Sequence, residues 1–460
     1  MVVLLAAAAL VVGILAVERP FAAVAVVMGA ALIALVAARI EALPLVLIAT
    51  LFVESIALGG QRIGRLAAVM ALFLVLYYLL VRGAGGLRPN ALLVAVSAYG
   101  LWIFASFYWA GDGSFVYDTF FRYLLVFAYM AAFAVIVRTP GQMLAIFVTL
   151  SVGALVFGVL SFGGYAASVD VYSTDVDPGK LGQTASGLQG DHNLFAVYQV
   201  LALPAALTVA AVARRAAWIG FAYTVVAVVV LSVVASFSRT ALLMLAVVVA
   251  ATLVAPARMF FRRATDKLNY FFAILIAGAL VAFAGAAPFV ERALTIFREQ
   301  GVSGARGSGR IDLWRAAWRG FREHALTGLG AGNFRAQSAD LLQTTPGVDN
   351  VLGNPSLSDK FVHNMYLGNL TELGIVGFGL FMAVLVLTVW YLLRAAKRAR
   401  ALGDPRLERF SAALIVTLVG YGIAGFFLSL ELSKPLFILI GLALALDVIS
   451  RRSPPAAVRA

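Results

Sequence analysis

The sequence predicts an all-α, polytopic membrane protein, and three observations carry that expectation. The 460 residues are 63% hydrophobic and only 12% charged, with a mean hydropathy of +0.97. Apolar runs of about 16–22 residues, the length a helix needs to cross a hydrocarbon layer, recur from one end to the other. Inside that layer no water is available to the backbone, so each run has to satisfy its own N–H and C=O groups, as a helix does.

In chain order the candidate spans fall near 2–17, 20–38, 42–58, 66–81, 91–109, 122–137, 142–163, 193–212, 216–235, 240–255, 271–288, 364–393, 410–430 and 433–450. The first, third and fourth are short, which leaves room for fewer true crossings than candidates. Met1 runs straight into apolar residues without a basic n-region, so no cleavable signal is expected. The expected organisation is a helical region 1–288 with an outside loop 163–190, a long polar loop 289–363, C-terminal helices 364–450 and a tail 451–460.

Orientation follows from where the arginines collect. With a cytoplasmic N-terminus, the short inside loops hold Arg214-Arg215, Arg262-Arg263, the cluster from Arg394 to Arg409, and Arg451-Arg452. Short basic loops stay inside, so 163–190 and 289–363 face outward, the periplasm in a bacterium. These anchors account for most of the net charge of +13, which points to anionic membrane lipids as partners rather than nucleic acid. The absence of cysteine excludes disulfides, thiolate chemistry and Cys-based metal sites.

A polar substrate would be handled in the long loop and around it. His192, His324 and His363 do not pair at metal-ligand spacing. Asp175-Val-Asp177 has the DxD spacing of nucleotide-sugar sites, but it falls outside, where nucleotide sugars are absent; no metal and no cofactor is expected. His363 precedes Asn364 and a long apolar span, which leaves two readings open: an interfacial side chain, or a general base kept neutral by the positive end of the helix. Glu372 is half a turn out of phase with it and should instead tie its helix to a neighbour or to the loop.

From Gly309 to Ala325 the pattern is an amphipathic helix, with Ile311, Trp314, Trp318 and Phe321 on one stripe and Arg315, Arg319 and Arg322 beside it. Such a helix suits the outer leaflet, with its tryptophans at headgroup depth. Arg310 stands at its start, after Gly307-Ser308-Gly309, where backbone amides favour anions. Arg239 and Arg122 sit at outside ends of spans. Each is either a snorkelling anchor or a donor to a pyrophosphate, which needs several forked cations. Asp191-His192-Asn193 opens the eighth span as cap and cap neighbours, with His192 and Asn193 as possible glycan contacts. Arg315, Asn364 and Tyr366 are candidates for the same role.

Taken in order, Gly190-Asp-His-Asn193, Ser236-Phe-Ser-Arg239, Arg310-Ile-Asp-Leu-Trp314, Gly328-Leu-Gly-Ala-Gly-Asn-Phe334 and His363-Asn-Met-Tyr-Leu through Glu372 resemble the O-antigen ligase and polymerase-like membrane glycosyltransferases. The resemblance implies transfer of a glycan from undecaprenyl pyrophosphate. The acceptor would be lipid A–core in a ligase, a carrier-linked glycan in a polymerase, or a protein hydroxyl in an O-oligosaccharyltransferase. It implies that His363 is the catalytic residue and that Arg239, Arg310 and, less directly, Arg122 bind the donor pyrophosphate. The ligase is the expected member. A lipid-linked glycan flippase, the rival class, would place charges in mid-span and show internal repeats, whereas here most charges sit at span ends.

Overall fold

The computed structural model describes residues 39–54, 56–58, 61–83, 87–167, 191–213, 215–283, 310–346, 348 and 359–452. The expected spans 2–17 and 20–38, the outside loop from 168 to 190 with Asp175 and Asp177, and the Gly307-Ser308-Gly309 approach to Arg310 lie outside the described residues.

The chain is built of helices: α1 (Leu43–Thr50, flanked by single 3-10 turns), α2 (Ile63–Arg82), α3 (Ala91–Ala105), α4 (Gly113–Ile136), α5 (Pro140–Ala167), α6 (His192–Val212), α7 (Ala216–Ala235), α8 (Arg239–Val254), the short α9 (Ala257–Phe260), α10 (Ala264–Phe283), α11 (Arg310–Glu323), α12 (Asn333–Thr344), α13 (Met365–Ala401), α14 (Pro405–Ala424) and α15 (Lys434–Arg452). Among the described residues, eight helices are long and apolar enough to cross a membrane, and α8 is a shorter apolar helix. Their starts are marked in the sequence by capping side chains. Asn90, Asp112, Asp191, Ser238, Asn364 and Asp404 each accept from backbone N–H groups one turn on, satisfying donors that a helix leaves orphaned in apolar surroundings.

One expected span is corrected. The third candidate, 42–58, ends at Val53, and the chain reverses through an antiparallel pair, β1 (Ala57–Leu58) with β2 (Gln61–Arg62). Glu54 stops it by pairing with Lys434 at the start of α15, and Tyr198 donates to the same carboxylate at 3.4 Å. A paired carboxylate is a tertiary feature that hydropathy does not register.

α6 and α15 form the interior. α15 is buried from Lys434 to Ser450, and the apolar stretch of α6 is 89% buried inside the protein. By contrast, α2 turns Phe73, Tyr77 and Leu80 outward, as a helix facing lipid does. At one end of the bundle the arginines interlock. Buried Asp447 accepts from Arg398 at 2.5 Å and pairs with Arg451 at 2.6 Å, while Arg409 donates to Arg258 O and Ala211 O. The starts of α6, α8 and α13 lie at the opposite end.

Candidate functional site

Four helices begin beside one another at that opposite end. Ser238 caps α8 and donates through Oγ to Asn193 Oδ1 at 2.8 Å, which brings the starts of α6 and α8 together. Arg239, the first residue of α8, is half-buried there. α11 begins with Arg310, whose charge acts on Arg239 and Asp191. Trp314, one turn on, donates through Nε1 to Val362 O at 3.1 Å and so docks α11 on the approach to α13. Helix starts carry partial positive charge, so four of them at one end of the bundle favour an anion there before any side chain is counted.

His363 is held by its backbone. It has φ +53°, the left-handed region, and its N–H donates to Ser429 Oγ at 3.1 Å. Met365 N donates to Gly425 O at 2.7 Å, so the α14–α15 loop carries the start of α13. Upstream, the strap from Asp359 to Val362 is fixed against α12. Arg335 pairs with Asp359 at 2.6 Å and lies over the Phe115 and Phe361 rings, while Lys360 N donates to Ser338 Oγ at 3.2 Å.

The glycine motif Gly328–Phe334 has a structural task. α13 breaks at Gly374, with φ +65° and ψ −171°, a conformation essentially confined to glycine. The broken turn is clasped by the loop after α11. Leu329 N and Gly330 N donate to Thr371 O and Glu372 O at 3.0 and 2.8 Å, and Ile375 N donates to Ala325 O at 2.9 Å. Gly332 N donates to Glu372 Oε2 at 2.8 Å, and Trp102 Nε1 donates to Leu373 O at 2.9 Å. Gly328 itself has φ +74°, and a Cβ there would stand 2.4 Å from Glu372 O. Glu372 therefore ties its helix to the loop, as its phase relative to His363 leads one to expect.

Electrostatics distinguish His363 from an ordinary interfacial histidine. Burial holds its pKa below the ordinary 6.5; Arg310 and Lys360 push the same way, and Asp191 pulls against them. Arg310 is itself lowered, by burial first and then by Arg239, with Asp191 again opposing. His363 and both arginines thus share one field.

The remaining candidates are dispersed or already engaged. Arg122 pairs with Asp118 at 2.8 Å beside Arg65, a separate ion cluster on α2 and α4. Arg315 pairs with Asp312 at 3.6 Å. Asn364 is the cap of α13, accepting from Tyr366 N and Leu367 N, and Tyr366 donates to Gly422 O at 2.9 Å with its ring against Phe426. His192 is half-buried at the first position of α6, and His324 is exposed after α11. α11 differs from the expected surface helix: it buries Leu313, Ala316, Ala317 and Gly320, and Thr371 donates to Ala317 O at 3.0 Å. Small residues let the backbones approach, so Trp314 is drawn inward and Trp318 is the exposed tryptophan. Asp191 as a charged member of the site, Lys360 and Ser429 were not singled out by sequence. Lys360 lies three residues before His363 and was within reach; Ser429 lies 66 residues away, with no local signal.

The fold and this end of the bundle define a multi-pass helical membrane protein with an anion-favouring site at the helix starts. Residues 200–382 match the O-antigen ligase family model, a segment that contains Arg239, Arg310, the glycine loop and His363. Over that segment the chain is similar to the O-antigen ligase family, which supports an O-antigen ligase-type function in general terms. None of the curated proteins compared with the chain matches it.

Proposed function

We propose that the protein is an O-antigen ligase that transfers a glycan from undecaprenyl pyrophosphate to a sugar hydroxyl of lipid A–core, without a metal, at the periplasmic face of the bacterial inner membrane. The observation that carries this reading is the grouping of Arg239, Arg310 and His363 in one field at four helix starts. The donor already carries a good leaving group, so the chemistry needs charge stabilisation and a base rather than activation. Arg239 and Arg310 receive the pyrophosphate with forked donors, which keep their geometry as charge develops on the departing oxygen. His363, neutral because burial and neighbouring cations disfavour its protonated form, takes the acceptor proton. The acceptor oxygen then displaces the pyrophosphate in line, with inversion at the anomeric carbon. Two membrane-held substrates meeting at one end of the bundle supply proximity.

The similarity to the O-antigen ligase family supports lipid A–core as the acceptor in general terms; a carrier-linked glycan would make the same site a polymerase. Deletion of the gene followed by glycolipid analysis decides between them. A ligase mutant accumulates long carrier-linked polymer and leaves the core uncapped. Single repeat units on the core would identify a polymerase and overturn the ligase reading.

A further inference from the structure

We propose that Arg62, Arg65 and Arg122, at the starts of α2 and α4, form a second phosphate site that receives the phosphomonoester headgroup of an acylated lipid. In the reaction proposed above that lipid is the lipid A–core acceptor, so the inference rests on that reading and gives its second substrate a place. Arg62 is the residue before α2 and Arg65 lies in its first turn, both exposed. Asp118 of α4 holds two of the guanidiniums: Oδ2 pairs with Arg122 Nη2 at 2.8 Å, and Oδ1 faces Arg65 Nη2 at 3.9 Å. A guanidinium has five N–H donors, so each fork keeps most of its capacity. Three guanidiniums against one carboxylate leave a surplus of two positive charges.

Both helices start at the end of the bundle that carries His363. Asp112, the cap of α4, donates through its N–H to Asn333 Oδ1 at 2.8 Å, beside the glycine loop. A Cβ on Gly64 of α2 would stand 2.5 Å from Nζ of Lys434, the first residue of α15. The loop before Lys434 supplies Ser429, which accepts from His363 N. One connection therefore meets α2 on one side and the seat of His363 on the other. Arg239 and Arg310 begin different helices, α8 and α11, so the two arginine groups can hold two phosphate-bearing lipids at once. Short outside connections are ordinarily poor in cations, so orientation in the membrane gives no reason for this cluster.

Charge and shape select the occupant. A phosphomonoester carries about 1.5–2 negative charges at neutral pH, which matches the surplus, whereas a bulk phosphodiester lipid carries a single one. Forked guanidiniums also suit a terminal phosphate that presents three oxygens. Further along α2 from Arg65, Leu66, Phe73, Tyr77 and Leu80 are exposed and share one face at helical spacing. Tyr117 and Leu124 are exposed on α4, which Asp118 brings alongside Arg65. A headgroup held by the arginines lays its acyl chains on this apolar surface.

The test uses the full-length protein in nanodiscs and the double variant Arg65→Gln/Arg122→Gln. Transfer is measured from a polyprenyl-pyrophosphate glycan to lipid A–core, either intact or with its lipid A phosphates removed. KM for the intact acceptor should rise on the order of tenfold, with KM for the donor and kcat unchanged. With the dephosphorylated acceptor, wild type and variant should coincide. An acceptor KM equal in variant and wild type overturns the proposal. So does a raised donor KM, which would move Arg122 to the donor pyrophosphate. Arg65→Gln alone, whose contact with Asp118 is loose at 3.9 Å, keeps the test open if the double variant does not fold. Native mass spectrometry with lipid A–core and with phosphatidylglycerol reads binding without turnover. Retention of lipid A–core over phosphatidylglycerol, lost in the variants, is expected; equal retention of the two lipids would make the cluster a general anchor and overturn the proposal. A wild type that transfers no glycan to lipid A–core, yet retains it through these arginines, supports the site and removes the ligase reading.

Discussion

His363 carries three separate constraints, a left-handed backbone, a half-buried side chain and two nearby cations, and each leads to a measurement. Histidine and asparagine both tolerate positive φ, so His363→Asn tests the base without disturbing the backbone. Transfer is expected to fall about 10²–10⁴-fold while the protein remains folded in the membrane; near-normal turnover in a purified assay would remove His363 from the mechanism. Its lowered pKa also fixes a pH window. The neutral base persists below the ordinary 6.5, so the acid limb of kcat/KM lies on the acid side of that value. Stability is untouched above 6.5 and declines as the pH drops through it toward the folded-state value, because only the unfolded chain protonates readily there. Arg239→Ala and Arg310→Ala should weaken donor binding, with lysine restoring it incompletely because it lacks the fork. Equal donor binding in both variants and wild type would return these arginines to anchoring. Transfer should continue in EDTA; loss there with recovery on Mg²⁺ or Mn²⁺ would bring the Asp175 and Asp177 pair back into play. These three side chains were legible because the motifs hold them at helix starts. Ser429 was not, since a contact across 66 residues leaves no local pattern.

At the scale of an element, α13 is two helices joined at Gly374, and the glycine loop exists to close the seam. Four main-chain groups at the break, Thr371 O, Glu372 O, Leu373 O and Ile375 N, find partners in residues 325–330 or in Trp102. Gly374→Ala would place a Cβ 2.3 Å from Leu326 O at a left-handed backbone. The strained backbone alone costs about 1–3 kcal/mol, and the clash adds to it. A lower Tm in detergent together with reduced transfer is expected, since the turns before the break carry His363; wild-type stability would show that the clasp is dispensable. The sequence displayed Gly328-Leu-Gly-Ala-Gly as a recurrent signature and Glu372 as an expensive carboxylate in a span. That the one receives the other was not readable, because their meeting depends on how α11 folds back over α13.

Over the whole molecule, span boundaries from 63 to 254 were read from hydropathy to within a few residues, except for α4, whose start at Gly113 lies nine residues before the expected 122. Lipid imposes one length and one polarity on every helix. The exception at 42–58 arises where a tertiary ion pair, Glu54 with Lys434, replaces hydrocarbon as the local environment. The same view sets the orientation test. The chain has no cysteine, so single cysteines introduced at Gly187 and Pro346 label without background. Both should react with an impermeant reagent from outside the cell; labelling only from the cytoplasmic side would invert the topology and the site with it.

The seat of His363 is built from the far end of the chain: Ser429 and Gly425 hold its N–H and that of Met365, and both emerge from the ribosome after α13 and α14. On the proposed mechanism, a nascent chain halted after α13 already contains Arg239 and Arg310, yet its His363 has no fixed position until residues 425–429 are in place.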